Sequence, residues 1–235
     1  MTHSTSSARH AGRARALLDS AGFRAAVIGS FTKLAPQHAF KNPVMAVVWL
    51  GTVLLLGVGG YHSELFAEDQ AALDAFATVQ KVFQSPRCQN CHIPGDSPLQ
   101  FDAGTPHAMN VVRGMDGKGA AGLPCATCHA ENNPPASYGP HAPPGAPHWS
   151  LPPAAHKMAW IGLPPDKLCA MIKDRSSNGD RDFAALIKHV SEDKLVLWGW
   201  NPGGNRAPVP VPHDIFVTQF KLWADAGGPC PVTGS

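Results

Sequence analysis

Two short strings in this 235-residue chain combine residue types that can hold a metal-containing cofactor. CQNCH occupies residues 88–92 and CATCH occupies residues 125–129, so each has two cysteines separated by two residues and a histidine directly after the second. Two thiols on one turn can each form a thioether with a vinyl group of haem, and the adjacent histidine can then ligate the iron. The sequence therefore predicts two covalently bound haem c groups. The attachment residues are Cys88, Cys91 and His92 for the first haem, and Cys125, Cys128 and His129 for the second.

A zinc site is the alternative for two cysteine pairs, because four thiolates can surround a zinc ion as a tetrahedron. Such a site needs no histidine after either pair. Histidine accounts for 12 of the 235 residues. If each position were filled independently, a histidine would follow both cysteine pairs by chance roughly once in 400, and the haem signature requires both. The pattern therefore favours haem over zinc.

The interval between the motifs indicates how many domains hold them. Cys125 follows Cys88 too closely for each haem to have a complete single-haem domain of its own. Both haems are therefore expected in one fold, where electrons could pass between them. The same short interval argues against the two-domain dihaem peroxidases.

Each haem iron either takes a sixth ligand from the protein or keeps that position open. Histidine and methionine are the usual candidates, and the sequence does not choose firmly among those of the exported part. We favour a shortlist of four, of which some are expected to be ligands and the others structural: His107, His141, Met158 and His189. The remaining candidates are His62, His148, His156, His213, Met109, Met115 and Met171.

Two cysteines, Cys169 and Cys230, remain once the motifs are assigned. In an oxidising compartment, a remaining pair favours a disulfide. Such a bond would tie the C-terminal helix to the helix that begins at Pro165. The alternative is two buried thiols without a bond.

The N-terminal part of the chain predicts a membrane anchor. Residues 1–61 hold six Lys and Arg against the single acid Asp19, and the run from Val44 to Tyr61 is uncharged and long enough to cross the hydrocarbon core. Basic residues before this run place the N-terminus in the cytoplasm by the positive-inside bias. We therefore predict a cytoplasmic segment at 1–43, a single transmembrane helix at 44–61 in the inner membrane, and a periplasmic haem domain at 62–235.

A cleaved signal peptide and a buried helix of a soluble protein are the alternatives to this anchor. The basic region is long for a signal peptide, and the small-residue cleavage pattern near Gly57 and Gly59 is weak. The retained anchor and the cleaved signal peptide both place the haem domain in the same compartment. Residues 14–31 could form an amphipathic helix on the membrane, with a disordered basic arm as the competing interpretation.

We predict a mainly α fold with extensive coil: the helices come from residue patterns, and the coil from 23 glycines and 23 prolines, which interrupt regular backbone pairing. We expect a single-domain dihaem cytochrome c-like fold preceded by one transmembrane helix. Helices are predicted at residues 64–84, 165–173, 181–190 and 214–226. No strand pattern of useful length is present.

Two further segments are predicted to be irregular. Residues 195–200 could form a short strand, but the flanking Gly and Pro favour irregular core. The proline-rich residues 130–154 are expected to pack as coil over a cofactor, with Tyr138, His141, His148 and Trp149 as groups to bury. A flexible spacer is the alternative for this second segment.

Five strings resemble a family of small bacterial dihaem cytochromes labelled as isoquinoline 1-oxidoreductase subunits. They are FQSPRCQNCHIPGDSPLQ, TPHAMNVVRGMDGKGAAGLPCATCH, HAPPGAPHWSLPP, LCAMIKD and LVLWGWNPG. The resemblance covers most of residues 80–231, and PPGAPHW and WGWNPG are its more distinctive parts. It implies periplasmic electron transfer into the respiratory chain, with a molybdenum hydroxylase that oxidises N-heterocycles or aldehydes as a candidate donor. The four shortlisted iron ligands are among the positions that match this family.

The sequence leaves two main functional classes. The favoured one is an electron carrier that is not itself an enzyme, whose partners are a molybdenum hydroxylase or another cytochrome, with no nucleic-acid partner. The alternative is a haem enzyme with an open iron site, peroxidase-like or thiosulfate-oxidising. Arg113, Arg181 and Glu131 could serve such an enzyme, but solvated surface charge is the favoured role for them. A haem-based gas sensor is poorly supported, since residues 1–43 show no output domain.

Overall fold

The computed structural model describes residues 43–232 and four earlier residues, which are 29, 35, 37 and 41. The predicted cytoplasmic segment, residues 1–43, therefore lies almost wholly outside the described residues. The predicted amphipathic helix of residues 14–31 also lies outside them, apart from Gly29. The described part is mainly helical, as the residue patterns predict.

The chain divides into two units, Met1–Leu65 and Phe66–Ser235. The first unit contains the beginning of the longest helix, α1, which runs from Pro43 to Phe83. Within the described residues, its part Pro43–Gly60 is the one helical stretch long and apolar enough to cross a membrane, with mean hydropathy 2.0 and no buried residue. Length and composition thus fit the predicted anchor.

Helix α1 differs from the prediction of separate helices at 44–61 and 64–84, because it continues through the intervening residues without a break. Gly59 and Gly60 lower helix propensity by about 1 kcal/mol each relative to alanine, yet neither ends the helix. No proline follows them until Pro86, and α1 ends shortly before that residue, as predicted.

The second unit has a helical core to which the end of α1 contributes one apolar face. Phe76, Val79 and Phe83 are spaced by three or four residues and are buried, as the amphipathic pattern predicts. Three later helices pack in the same hydrophobic cluster. They are α3 (Pro165–Lys173), α4 (Phe183–Glu192) and α6 (His213–Asp225).

These three helices lie within two residues of their predicted bounds. Helix α3 has the predicted bounds, and its first residue, Pro165, lacks the N–H that would have no intrahelical partner there. Helix α4 begins two residues later than predicted because Asp182 caps it, accepting a hydrogen bond from the backbone N–H of Ala185 at 2.8 Å.

The expectation of a strand or irregular core at residues 195–200 was wrong. The segment forms the short helix α5 (Lys194–Leu197), followed by a 3₁₀ turn at Trp198–Trp200. Asp193 is the reason, since its carboxylate accepts hydrogen bonds from the backbone N–H groups of Leu195 and Val196. This side-chain cap starts a helix in a stretch whose composition suggests a strand.

Two small antiparallel ladders lie between the two cysteine motifs. In the first, β1 (Leu99–Gln100) pairs with β2 (Thr105–Pro106), and in the second, β3 (Gly119–Ala120) pairs with β4 (Leu123–Pro124). Gly119 has φ +97°, and a Cβ atom there would lie 2.6 Å from the carbonyl oxygen of Leu123. Only glycine therefore fits this tight turn before the second motif.

The proline-rich residues 130–154 form coil with short turns, but their anchoring differs from the prediction. Tyr138 is 74% exposed, His141 and His148 are also exposed, and only Trp149 is partly buried. The backbone is held instead by Asn133, whose Oδ1 accepts a hydrogen bond from the N–H of Gly145 at 3.1 Å. The segment packs through its main chain, through Trp149 and through the buried side chains of Ala146 and Leu151.

A disulfide joins Cys169 of α3 to Cys230, with 5.5 Å between the Cα atoms. Two hydrogen bonds hold the same region together. Lys173 Nζ donates to the carbonyl oxygen of Gly228 at 2.6 Å, and Trp223 Nε1 donates to that of Pro229 at 3.0 Å. The chain after α6 is therefore fixed against α3.

Candidate functional site

The first cysteine motif begins on a short helix, α2 (Pro86–Gln89), that follows directly after α1. The backbone N–H groups of Cys91 and His92 both donate to the carbonyl oxygen of Cys88, at 3.2 and 3.1 Å. This tight turn presents both thiols and the imidazole from one short piece of backbone. Burial raises the pKa of the Cys88 thiol to about 12 and that of Cys91 to about 11.

The second motif has the same local backbone although its surroundings differ. It starts as a 3₁₀ turn, Cys125–Thr127. The N–H groups of Cys128 and His129 donate to the carbonyl oxygen of Cys125, at 3.1 and 3.0 Å. None of the four motif cysteines is in a disulfide, so both pairs keep the thiols that thioether formation requires.

Both motif histidines are oriented by one hydrogen bond to a backbone carbonyl. His92 Nδ1 donates to Met158 at 2.9 Å, and His129 Nδ1 donates to Pro144 at 2.7 Å. A carbonyl oxygen can only accept, so Nδ1 carries the ring proton and Nε2 carries the lone pair. Ligating histidines are typically held in this way.

Burial also favours the neutral, ligating form of both imidazoles. It lowers the pKa of His92 to about 3 and lowers the pKa of His129. The hydrogen bonds that the two rings donate to carbonyls act in the opposite direction but are weaker effects. At neutral pH both Nε2 lone pairs are therefore available to a metal.

A tryptophan indole stacks on each motif histidine. The ring centroids of His92 and Trp160 are 3.4 Å apart, and those of His129 and Trp149 are 4.3 Å apart, with 4° between the planes in both pairs. Stacking and the Nδ1 hydrogen bond together fix the direction of each Nε2 lone pair. Sequence reasoning did not identify Trp160, and no local signal distinguishes it from a core tryptophan.

The first motif opens onto a cavity of about 1070 Å³. Most small-molecule sites enclose ~300–1,000 Å³, so this one is large enough for a cofactor of haem size. Its wall contains both cysteines and the histidine of the first motif and two of the four shortlisted ligands, which are Met158 and His189.

Of these two, His189 is the better candidate for a second ligand. Its Nδ1 lies 3.4 Å from Oδ2 of Asp193, the residue directly after α4, which leaves Nε2 for a metal. His189 is close enough to His92 to contribute to lowering its pKa. Met158 instead supplies the carbonyl that accepts from His92 Nδ1, and this carbonyl lies on the side of the ring away from Nε2.

The second motif opens onto a smaller cavity, of about 210 Å³. The other two shortlisted residues, His107 and His141, line this cavity together with His129. Cys128 and His141 are exposed, so a ligand held here would extend to the protein surface. The structure thus places all four shortlisted residues beside a motif cavity, two at each.

His107 lies opposite His129 at a distance that suits one shared metal ion. Their ring centroids are 6.2 Å apart, and two imidazoles that each place a nitrogen ~2 Å from one metal have centroids roughly 6 Å apart. His107 Nδ1 donates to the carbonyl oxygen of Ala108 at 2.8 Å, which again leaves Nε2 with the lone pair. His141 instead contacts the ring of Phe101, at 5.6 Å.

The two cavities share a wall. Five residues line both of them: Arg87, Cys91, Trp149, Leu151 and Trp198. Trp149 and Trp198 meet edge to face within it, with ring centroids 4.9 Å apart. The two motifs are therefore direct neighbours in one fold, as their short separation in sequence predicts.

Two buried arginines help to build the site. Arg113 is 0% exposed, and its guanidinium donates to the carbonyl oxygens of Ile93, Gly95 and Pro152. The prediction of solvated surface charge was therefore wrong for Arg113, because chain segments from both sides of the second motif close over it. Arg87 is 7% exposed and forms an ion pair with Asp102.

Glu131 and Arg181, which were also predicted to be solvated surface charges, lie nearer the surface than Arg113. Glu131 is exposed and Arg181 is partly buried. Arg181 lines the first cavity, but its Nη1 donates to the carbonyl oxygen of Asn178 at 2.7 Å. Sequence reasoning missed Arg87, because an arginine beside a cysteine motif carries no sign of its burial.

The four motif thiols do not form a zinc site. Among the residues that the structure describes, no three His, Cys, Asp or Glu side chains converge into a metal-binding group. A structural zinc ion needs four such ligands. A haem iron takes at most two ligands from the protein, so the pair of His107 and His129 suits haem better than zinc.

The first cavity contains buried hydrogen-bond donors that a haem could satisfy. Arg87 Nε and Trp160 Nε1 are buried and have no acceptor among the described residues. A buried donor left without a partner costs about 1–3 kcal/mol. Haem carries two propionate carboxylates, which can accept from such donors, so the residues present fit this group.

No protein family, curated protein or solved structure matches the chain. The resemblance to dihaem cytochromes therefore stays a prediction. The function has to be argued from the motifs and the geometry around them.

Proposed function

We propose that the chain is a membrane-anchored c-type cytochrome that holds two haems and passes electrons between redox partners. One observation carries this proposal: two cysteine motifs with the same turn each place a carbonyl-oriented histidine on a cavity that also holds a second histidine. A haem supplies an iron that gains or loses one electron when bound in such a site.

The cysteines of each motif would hold the cofactor covalently, and the motif histidine would ligate its iron from one side. His189 is the proposed second ligand in the first cavity, and His107 is the proposed second ligand in the second. Asp193 and the carbonyl of Ala108 would keep these imidazoles in the ligating tautomer. His141 and Met158 would then have structural roles.

Two histidines per iron favour electron transfer over catalysis. An enzyme needs an iron position open to its substrate, with acid–base groups beside it. Here each cavity offers a second imidazole that would close that position. The protein would then contribute orientation, polarity and exclusion of water, and perform no substrate chemistry.

The shared wall supports electron exchange between the two sites within one molecule. Cys91 of the first motif lines both cavities, and the charge of Cys125 contributes to raising its pKa. The two proposed haem sites are therefore separated by residues that line both cavities. An electron entering at one site could leave from the other.

The apolar part of α1 supports an inner-membrane location, with the haem domain in the periplasm. Pro43–Gly60 has the length and hydropathy of a membrane span, and the basic residues that precede it favour a cytoplasmic N-terminus. Periplasmic placement also suits haem attachment through cysteines. A molybdenum hydroxylase or another cytochrome is the proposed redox partner, and this rests on the sequence resemblance alone.

An absorption spectrum of the purified, dithionite-reduced protein with and without carbon monoxide tests the carrier role. Carbon monoxide binds an open ferrous iron and shifts its Soret band. The proposal predicts that neither Soret band shifts. Ready binding at one iron would contradict the carrier role and would instead support a haem enzyme with an open site.

A further inference from the structure

Arg87 is a buried cation on the boundary between the two cavities. Among the residues that the structure describes, four arginines line the cavities, and only Arg87 lines both. Its side chain is 3% exposed, and its guanidinium carbon lies 5.8 Å from the ring centroid of Trp198, another residue of the shared wall. One positive charge thus faces two cofactor sites at once.

This cation is only partly paired. Arg87 Nη2 donates to Asp102 Oδ1, while Nε is buried without a partner among the described residues. Asp102 is itself 46% exposed and accepts another hydrogen bond from the backbone N–H of Ala207 at 3.1 Å. A guanidinium has five N–H donors suited to carboxylates, so Arg87 has capacity left for a second anion.

We propose that Arg87 binds propionate carboxylates at the shared wall and raises the reduction potentials of both haems. The inference rests on the proposed function, because it needs a haem in each cavity. A fixed positive charge stabilises the form that carries the extra electron. Since Arg87 lines both cavities, its removal should lower both potentials together.

Arg206 provides a matched control. It is partly buried, lines the second cavity only, and donates to the carbonyl oxygens of Ala142 and Gly203. Because the Coulomb energy falls with distance, Arg206→Gln should lower mainly the potential of the haem in the second cavity, whereas Arg87→Gln should lower both to a similar extent. The two variants remove the same charge from different positions.

The experiment is a spectroelectrochemical titration of the haem-loaded wild type, Arg87→Gln and Arg206→Gln. We expect Arg87→Gln to lower both midpoint potentials by about 59 mV, which corresponds to a tenfold loss of electron affinity at each haem. Arg206→Gln should lower mainly the midpoint of the second haem. A haem-loaded Arg87→Gln protein with one or both midpoints unchanged would overturn the proposal.

Asp102→Asn keeps the test decisive if Arg87→Gln fails to fold. This change removes the negative charge that partly offsets Arg87 while leaving the buried arginine in place. Both midpoint potentials should then rise, and a rise at one haem or at neither would refute the shared role. A wild-type chain without covalent haem would overturn the proposed function as well, whereas haem-loaded variants with unshifted potentials overturn only the role of Arg87.

Discussion

The two cysteine motifs share one backbone turn but lie in different surroundings. The first faces a cavity of about 1070 Å³ and belongs to the helical core, where burial lowers the pKa of His92 to about 3. The second faces a cavity of about 210 Å³, and Cys128 is exposed. The same attachment chemistry would therefore operate in a large cavity at the helical core and in a small one that reaches the surface at Cys128, so any functional difference has to come from the neighbouring residues.

The largest expected effect comes from removing the proposed second histidine at either site. His189→Ala should open the first iron to carbon monoxide, and His107→Ala should open the second, each with a full Soret shift of one haem. His141→Ala is the matched control in the second cavity and should leave both irons closed. If His141→Ala binds the gas and His107→Ala does not, the two histidines exchange roles.

Removal of the disulfide should affect the site of the first motif before that of the second. The Cys169–Cys230 bond closes a loop with a sequence separation of 61, so Cys169→Ala/Cys230→Ala should cost about 4 kcal/mol of unfolding free energy. Ile172 of α3 and Phe216 of α6 line the first cavity but not the second. Denaturant unfolding followed at the two haem bands should show the first changing at lower denaturant, and simultaneous change at both would contradict this ordering.

The reduction potentials should differ in the direction set by burial. Taking a charge out of water is costly, so the first site, where burial lowers the pKa of His92 to about 3, should disfavour the more highly charged, oxidised iron and have the higher potential. We expect a separation of at least about 59 mV, or tenfold in electron affinity. A redox titration of the wild type and of the two histidine variants assigns each midpoint to a site. A higher reduction potential at the second site would show that nearby charges affect the potential more than burial does.

The smallest expected difference concerns the two histidine–tryptophan stacks. Aromatic pairs contribute about 0.5–1.5 kcal/mol beyond their buried area. Trp160 is buried and stacks at 3.4 Å, whereas Trp149 is partly buried and stacks at 4.3 Å. Trp160→Phe should therefore lower the unfolding free energy, measured with denaturant, more than Trp149→Phe does. Equal losses would indicate that burial does not separate the two stacks.

Local patterns predicted the parts of the molecule that depend on nearby residues. The cysteine motifs are contiguous in sequence, and Pro165 and the apolar spacing around Phe183 and Phe216 indicate α3, α4 and α6 without knowledge of the fold. The pairing of Cys169 with Cys230 follows from there being two cysteines left over. All four shortlisted residues line a motif cavity, but so do His148, His156 and Met109 of the longer candidate list, so the sequence alone did not separate the proposed ligands from their neighbours.

Features that depend on tertiary contacts were missed. Arg113 was expected at the surface, but its burial depends on three carbonyl groups from distant segments. Helix α5 depends on the rotamer of Asp193, which hydropathy does not reveal. The exposure of Tyr138 and the position of Arg87 on the shared wall likewise depend on how separate coil segments meet.

The most direct test of the central claim is the intact mass of the denatured protein, purified after expression with a haem-attachment system. The account predicts the mass of the chain plus two haems, and the mass of the chain plus one haem for Cys88→Ala/Cys91→Ala and for Cys125→Ala/Cys128→Ala. A wild-type chain with no covalent haem, or one that copurifies with zinc bound to all four thiols, would contradict it.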